Sequence, residues 1–119
     1  PNGGGDIWGR DLSGGAAFPI CTDAADQRDP AISGDIVVWT DWRNGNADIY
    51  GRDLSTGVEF AISTDGSPQN APAIDGDLVV WGDDRNGSYS DIYGAYIPEP
   101  TALALLGLGA IGLIRGQRR

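Results

Sequence analysis

The 119-residue sequence contains no histidine and no lysine, and Cys21 is its single cysteine. The lack of histidine removes the commonest general base, and no serine or cysteine has a neighbouring side chain that could activate it. A lone cysteine cannot form an intramolecular disulfide, so we interpret Cys21 as a small apolar residue on a strand. We therefore predict that this chain is not itself an enzyme.

Basic residues are also scarce. Eight arginines stand against seventeen acidic residues, which gives a formal net charge of −9. Most of the acidic residues are aspartates, which favour turns and therefore indicate a solvated surface. The sequence has no basic patch that could neutralise phosphates, so we predict that nucleic acid is not a partner.

The sequence does contain an internal repeat with a period of forty-two residues. The segment DIYGRDLS at 48–55 nearly copies DIWGRDLS at 6–13, and it begins again as DIYG at 91–94. A second block, PAISGDIVVWTDWRNG at 30–45, returns as PAIDGDLVVWGDDRNG at 72–87. Repeats of about 40 to 45 residues that hold several short strands are typical of β-propeller blades.

One repeat predicts a blade of four antiparallel strands. A short strand at 31–32 leads into the apolar strand 36–40, which is followed by strands at 48–54 and 58–63. The second strand is continuously apolar, as expected for a strand covered on both faces. The counterpart of the fourth strand contains Pro19, and proline is tolerated only at sheet edges, so this strand is predicted to lie outermost.

We thus predict an all-β fold of about two and a half propeller blades in residues 1–97. Residues 6–29 form the end of one blade, 30–71 a complete blade, and 72–97 three strands of the last blade. Propellers typically need four to eight blades, so we expect the chain to be the C-terminal part of a longer protein. The last blade then needs an outer strand, and we expect the missing N-terminus to donate it.

The tail, residues 98–119, has three parts. A Pro-Glu-Pro motif is followed by a charge-free run, and this order predicts a short transmembrane helix with a basic cytoplasmic flank. Fourteen helical residues span about 21 Å, short of the roughly 30 Å hydrocarbon core, so we expect a marginal and transient anchor in the inner membrane. The parts are the motif Pro98, Glu99 and Pro100, the apolar run from Thr101 through Leu106 to Ile114, and the flank Arg115, Arg118 and Arg119.

Carboxylates gather around the two Arg-Asn-Gly hairpins of the repeat. We interpret them as structural clamps in which an arginine pairs with a carboxylate across the loop. The clamp residues are Arg43, Asp48, Arg85 and Asp91. The alternative is calcium, bound by oxygen ligands from Asp41, or from Asp83 and Asp84, together with a loop carbonyl, although the aspartate spacing of dedicated calcium loops is absent. We predict no cofactor and keep calcium as the alternative.

Trp42 is the best candidate for a ligand-stacking residue. Trp39 and Trp81 lie in the inner apolar strands, which predicts that they belong to the core. Trp42 is replaced by Asp84 one repeat later. A position that accepts either residue is expected to be exposed, and an exposed tryptophan can stack on a carbohydrate.

Residues 6–97, with these motifs in register, resemble the TolB-like family of β-propeller repeats, especially its extracellular and cell-surface members. The resemblance implies the fold. Periplasmic TolB has Ser-Pro-Asp-Gly at the first hairpin where this chain has Ser-Gly-Asp35 and Asp-Gly-Asp77, so its role in outer-membrane maintenance does not carry over. The tail is similar to PEP-CTERM sorting signals of Gram-negative bacteria, which implies an exosortase-type processing protease as a partner.

We therefore expect a non-enzymatic, exported β-propeller at the cell surface, in the extracellular space or in the outer envelope. Its expected partners, besides the protease, are a matrix polysaccharide or an envelope protein, and the tail contacts the membrane. Two alternatives stay open. The chain is the propeller portion of a larger envelope enzyme, a lyase or peptidase with catalytic residues upstream, or it is a calcium-stabilised structural surface protein.

Overall fold

The computed structural model describes residues 4–87 and 89–98, together with the backbone of 113–115. These residues contain strands and no helix, which confirms the all-β class. The described strands are β1 Ile7–Gly9, β2 Phe18–Cys21, β3 Gln27–Ser33, β4 Ile36–Asp41, β5 Asp48–Asp53, β6 Val58–Ser63, β7 Gln69–Asp75, β8 Leu78–Asp83, β9 Asp91–Tyr96 and β10 Leu113–Arg115.

The strands form three antiparallel sheets. The central sheet has the order β3-β4-β5-β6, the next has the order β10-β9-β8-β7, and β1 pairs with β2. In the central sheet each strand therefore pairs with its neighbour in sequence, as hairpin connections require. The strands β1 and β2 occupy the repeat positions of β5 and β6, so the three sheets are successive copies of one unit.

The first strand of each repeat is longer than the sequence predicts. It spans Gln27–Ser33, whereas the prediction covers only 31–32. Asp29 and its counterpart Ala71 both have a φ of 57°, and the strand register shifts at each of them. A proline follows each of these residues, and because proline lacks an N–H the ladder is interrupted by a bulge and then resumes.

The last sheet receives its fourth strand from the tail. The strands β7, β8 and β9 lie within residues 69–96, and β10 pairs antiparallel with β9 so that Leu113 lies opposite Ala95. In this structure β10 therefore occupies the edge at which we expected an N-terminal segment, and that expectation stays a prediction. The physical reason is that the outer edge of β9 presents N–H and C=O groups that any extended segment can pair with.

The helix predicted for the apolar run is wrong at its end. Ile114 lies in β10, and its backbone follows the edge of a sheet instead of a helix. Thr101 and Leu106 lie outside the described residues. In the part of the chain that the structure describes, no helix has the length and apolar character needed to cross a bilayer.

The hydrophobic core lies between successive sheets. Along β4, Val37 and Trp39 face the β1–β2 sheet while Val38 faces the last sheet, and all three are buried. A strand with neighbours on both faces has no solvent-facing positions, which explains the continuous apolar run in the sequence. The first cluster comprises Ile7, Ile20, Cys21, Val37 and Trp39. The second comprises Val38, Ile49, Phe60, Ile62, Val79, Trp81, Tyr93, Ala95 and Ile97.

The exposed apolar side chains occupy the same repeat positions as buried ones. Ile49 is fully buried between two sheets, whereas its counterpart Ile92 is 59% exposed. Trp8, whose counterpart Tyr93 is fully buried, is 56% exposed at the other end of the described region. These two faces are therefore the two halves of a sheet-to-sheet interface, and each lacks a neighbouring sheet among the described residues.

Gly51 is a close-approach position inside the central sheet. A Cβ atom at this residue would lie 3.0 Å from the ring of Phe60 and 3.1 Å from the carbonyl oxygen of Val37. Phe60 is the cross-strand partner of Gly51, so its ring lies across the glycine. The glycine is thus needed by its own sheet and not by an adjacent blade.

We expect Gly51→Ala to lower the free energy of unfolding by about 1–3 kcal/mol, because the added methyl group overpacks this contact. Gly82→Ala is the matched control, since the nearest atom to a Cβ there lies 3.5 Å away. Alanine should be neutral or slightly stabilising at Gly82. Urea unfolding followed by circular dichroism measures both variants, and equal midpoints would contradict the prediction.

Candidate functional site

Each Arg-Asn-Gly hairpin begins with a buried carboxylate. Asp41 is 0% exposed, and its Oδ2 accepts a hydrogen bond of 2.9 Å from the indole Nε1 of Trp39. Arg43 donates its backbone N–H at 2.9 Å and its Nε at 3.0 Å to Oδ1, and its Nη2 at 2.7 Å to Oδ2. The carboxylate thus accepts four hydrogen bonds, which matches its full acceptor capacity.

The next repeat reproduces this arrangement. Asp83 is also fully buried and accepts hydrogen bonds of 3.0 Å from Trp81 and of 2.8 Å and 2.7 Å from the Arg85 guanidinium. Burial alone would raise the pKa of Asp83, but the hydrogen bonds from Arg85 and Trp81 outweigh it and hold the pKa below its ordinary value. The ionised carboxylate is therefore part of the folded structure.

The two arginines also reach the preceding sheet. Arg43 Nη2 donates to Cys21 Sγ at 3.3 Å, and Arg85 Nη2 donates to Ser63 Oγ at the same distance. Burial, the largest influence, raises the pKa of the Cys21 thiol to about 11, so the thiol stays protonated near neutral pH. Each guanidinium therefore joins two successive sheets.

The predicted clamp partner of Arg43 is not Asp48. Asp41 takes that role, because the backbone and the side chain of Arg43 can both reach a carboxylate two residues earlier. Asp48 instead accepts 2.8 Å from Asn44 Nδ2, which also donates to the Tyr50 hydroxyl at 3.0 Å. The second hairpin has the same pairing. Arg85 pairs with Asp83, and Asn86 donates to Asp91 and to the Tyr93 hydroxyl.

The arginines stack on the same tyrosines. The guanidinium carbon of Arg43 lies 4.0 Å from the ring centroid of Tyr50, and that of Arg85 lies 4.3 Å from the ring centroid of Tyr93. At these distances a cation is attracted by the face of an aromatic ring. The hairpin, the arginine and the third strand are therefore held together as one unit.

The calcium candidates of both hairpins already have hydrogen-bond partners within the protein. Asp41 is the last residue of β4, Asp83 is the last residue of β8, and Asp84 follows β8. The carboxylates of Asp41 and Asp83 accept hydrogen bonds from a tryptophan and an arginine. Asp84 accepts a hydrogen bond from the hydroxyl of Ser90. Among the residues that the structure describes, no three acidic or thiol groups are close enough to hold a metal ion.

Trp42 is half-buried, whereas the sequence predicts an exposed side chain. Its backbone N–H donates to the Asp26 carbonyl at 3.0 Å, and its carbonyl accepts from Gly45 at 3.1 Å. Asp84 makes the equivalent backbone bonds in the next repeat. The position therefore serves the hairpin through its backbone, which explains why either side chain is accepted.

A cavity of about 350 Å³ opens beside the first clamp, between β2 and the outer half of the central sheet. We call it the junction cavity. Its charged and hydroxyl-bearing lining residues are Thr22, Asp23, Arg43, Arg52 and Glu59. Sequence reasoning did not identify Arg52 or Glu59. The available signal was that Arg52 is replaced by Ala95 at the same repeat position, which shows that the strand does not require it.

The sorting motif begins directly beside the last two sheets. Pro98 is half-buried and lines a second cavity of about 300 Å³ together with Asp35, Asp53 and Asp77. The backbone N–H of Ile97 donates to the Asp77 carbonyl at 2.7 Å. The motif residues Glu99 and Pro100 and the arginines Arg118 and Arg119 lie outside the described residues, and Arg115 is described only by its backbone in β10.

We expect Trp39→Phe to cost about 1.5–3 kcal/mol of unfolding free energy, because it removes a hydrogen bond to a buried charged group. Trp8→Phe is the control, since Trp8 is 56% exposed. Urea unfolding monitored by circular dichroism compares the two variants. A loss of the same size in both variants would contradict the prediction.

The clamp should make the free energy of unfolding depend on pH. Because the pKa of folded Asp83 lies below its ordinary value of 3.8, its stabilisation is fully present above that value and is lost as the pH falls through the lower folded pKa. The difference in unfolding free energy between the wild type and Asp83→Asn should therefore be largest above about pH 5 and shrink below pH 4.

Urea midpoints measured from pH 7 down to pH 2 test this dependence on acid. Asp75→Asn, which changes an exposed aspartate of β7, serves as the control and should follow the wild type. A difference between the wild type and Asp83→Asn that stays constant over the whole range would contradict the prediction.

Comparison with known proteins gives two matches of different kinds. Residues 97–119 match the family of PEP-CTERM protein-sorting motifs. The fold is similar to the crystal structure of TolB from Acinetobacter baumannii, with 27% sequence identity and a TM-score of 0.63 over 92% of this chain. The match covers 26% of TolB, so the chain spans about a quarter of that protein's length. No curated protein matches the chain.

The two matches join at the end of the third sheet, where β9 ends at Tyr96 and the sorting motif follows. The tail accounts for the PEP-CTERM match, and the repeated sheets account for the likeness to TolB. The chain therefore has a TolB-like fold of β-propeller repeats and carries a PEP-CTERM sorting motif at residues 97–119.

Proposed function

We propose that this chain is a non-enzymatic binding or structural module of the cell envelope or extracellular matrix. The observation that carries this proposal is the position of the sorting motif immediately after β9. A PEP-CTERM signal marks an exported protein that exosortase sorts. With the motif at the end of the repeats, the propeller is the exported part and the tail is the part that the protease recognises.

The use of the charged residues supports a binding or structural role. Asp41 and Asp83, the buried carboxylates of the hairpins, accept all their hydrogen bonds from tryptophan and arginine. Buried, fully paired charges of this kind fix geometry and are not available to transfer protons. The surface that remains for a partner is the polar lining between the sheets, and we propose a matrix polysaccharide or an envelope protein as that partner.

The contacts of the tail bear on its processing. Pro98 is half-buried against two sheets, and β10 pairs with β9. A protease that cuts near the motif must gain access to a segment that lies against the propeller. We propose that β10 leaves β9 when the tail engages the membrane, because one backbone segment cannot pair with a sheet edge and enter a bilayer at the same time.

Processing can be tested in a bacterium that contains an exosortase. We expect the mature chain to end close to the motif and to lack Arg119, as measured by mass spectrometry of the surface and extracellular fractions. The control replaces Pro98, Glu99 and Pro100 together by alanine and should remain uncut. A surface chain that still ends at Arg119, or equal cutting of the control, would overturn the proposed processing.

A further inference from the structure

The guanidinium of Arg52 has no partner in the part of the chain that the structure describes. Its Nε is buried without a hydrogen bond, and no ion pair to it occurs among the described residues. Glu59 lies directly opposite Arg52 in the strand register, yet its carboxylate is held by Arg43 at 3.0 Å and 3.4 Å. An unpaired, half-buried cation gains no ion-pair energy, so charge pairing within the fold does not explain this residue.

The neighbouring repeats show that the fold does not need an arginine at this position. Ala95 occupies it in the next repeat and is fully buried. Arg10 occupies it in the preceding repeat, where its Nε donates to the Gly15 carbonyl at 3.0 Å. Arg52 alone of these three places an unpartnered guanidinium at a cavity.

The junction cavity has the size and the lining of a small-ligand site. Its volume of about 350 Å³ falls within the range of natural pockets. Thr22 and Asp23 approach from the end of β2, and Arg52 and Glu59 approach from β5 and β6. The Arg43–Glu59 pair also borders a smaller cavity of about 160 Å³, so a ligand with more than one sugar residue has room to continue.

These groups define the chemistry of the ligand. The fork of a guanidinium fits a carboxylate with two parallel hydrogen bonds. The carboxylates of Asp23 and Glu59 accept hydrogen bonds from hydroxyl groups, and the Thr22 hydroxyl can donate or accept. A phosphate, with nearly two negative charges, would be repelled more strongly by Asp23 and Glu59 than a single carboxylate.

We propose that the junction cavity binds a uronic acid residue of an acidic polysaccharide, with Arg52 holding the sugar carboxylate and Glu59 and Thr22 binding the sugar hydroxyls. This inference rests on the proposed function, to which it adds a ligand class and a position. Binding weakens as salt is added, because the central contact joins two opposite charges.

Isothermal titration of the full chain with a uronic acid trisaccharide tests the assignment. The uronate trisaccharide binds at least tenfold more tightly than a neutral hexose trisaccharide or inorganic phosphate. Arg52→Ala lowers the affinity at least tenfold, and Arg52→Lys lowers it less, because lysine keeps the charge but loses the fork. Arg10→Ala is the matched control, since it changes the same repeat position outside the cavity and leaves the affinity unchanged.

Circular dichroism melting shows whether Arg52→Ala still folds, as Ala95 at the same repeat position leads us to expect. Absent uronate binding, equal binding of phosphate or neutral sugar, or unchanged affinity in Arg52→Ala overturns the assignment. Failure of this site and failure of the proposed function are distinguishable. If the mature protein is processed and held at the surface but does not bind uronate, only the ligand assignment is overturned. A chain that is neither processed nor exported would overturn the proposed function.

Discussion

The buried carboxylate at the end of β4, and its repeat in β8, is the interaction on which the rest of the structure depends. A buried charge is tolerated only when it is paired and hydrogen-bonded, and here one tryptophan and one arginine supply every bond. The same arginine stacks on a tyrosine of the third strand and reaches the outer strand of the preceding sheet. One carboxylate thereby fixes its hairpin, its sheet and the junction to the sheet before it.

The contacts between successive sheets follow from this arrangement, and they leave the junction cavity between β2 and the central sheet. Residues along β4 alternate between two neighbouring sheets, so the cores are shared and each sheet is stable only beside another. Since Arg43 takes both Asp41 and Glu59, the cross-strand neighbour Arg52 is left without a carboxylate. A residue that the repeat can replace by Ala95 then becomes available for a ligand, whereas the clamp residues do not.

The tail connects the fold with export. The motif begins where the last strand of the repeat ends, and Pro98 lies against the sheets. The edge of β9 carries unpaired backbone groups, and β10 covers them in this structure. The segment that matches the sorting motif therefore also occupies a position in the last sheet, and the proposal that β10 leaves β9 follows from that position.

The sequence by itself determined the all-β class, the forty-two-residue unit and the sorting motif, because hydrophobic period, turn residues and motif order are local properties. The full length of β3, the pairing of Arg43 with Asp41, the half-buried state of Trp42 and the position of Arg52 were decided only by tertiary structure. The length of β3 depends on the bulge at Asp29. The other features depend on which side chains lie within hydrogen-bond distance across a hairpin or between two sheets. The strand at Leu113–Arg115 belongs to the same class, since an apolar segment takes the conformation that its nearest partner offers, and here that partner is the edge of β9.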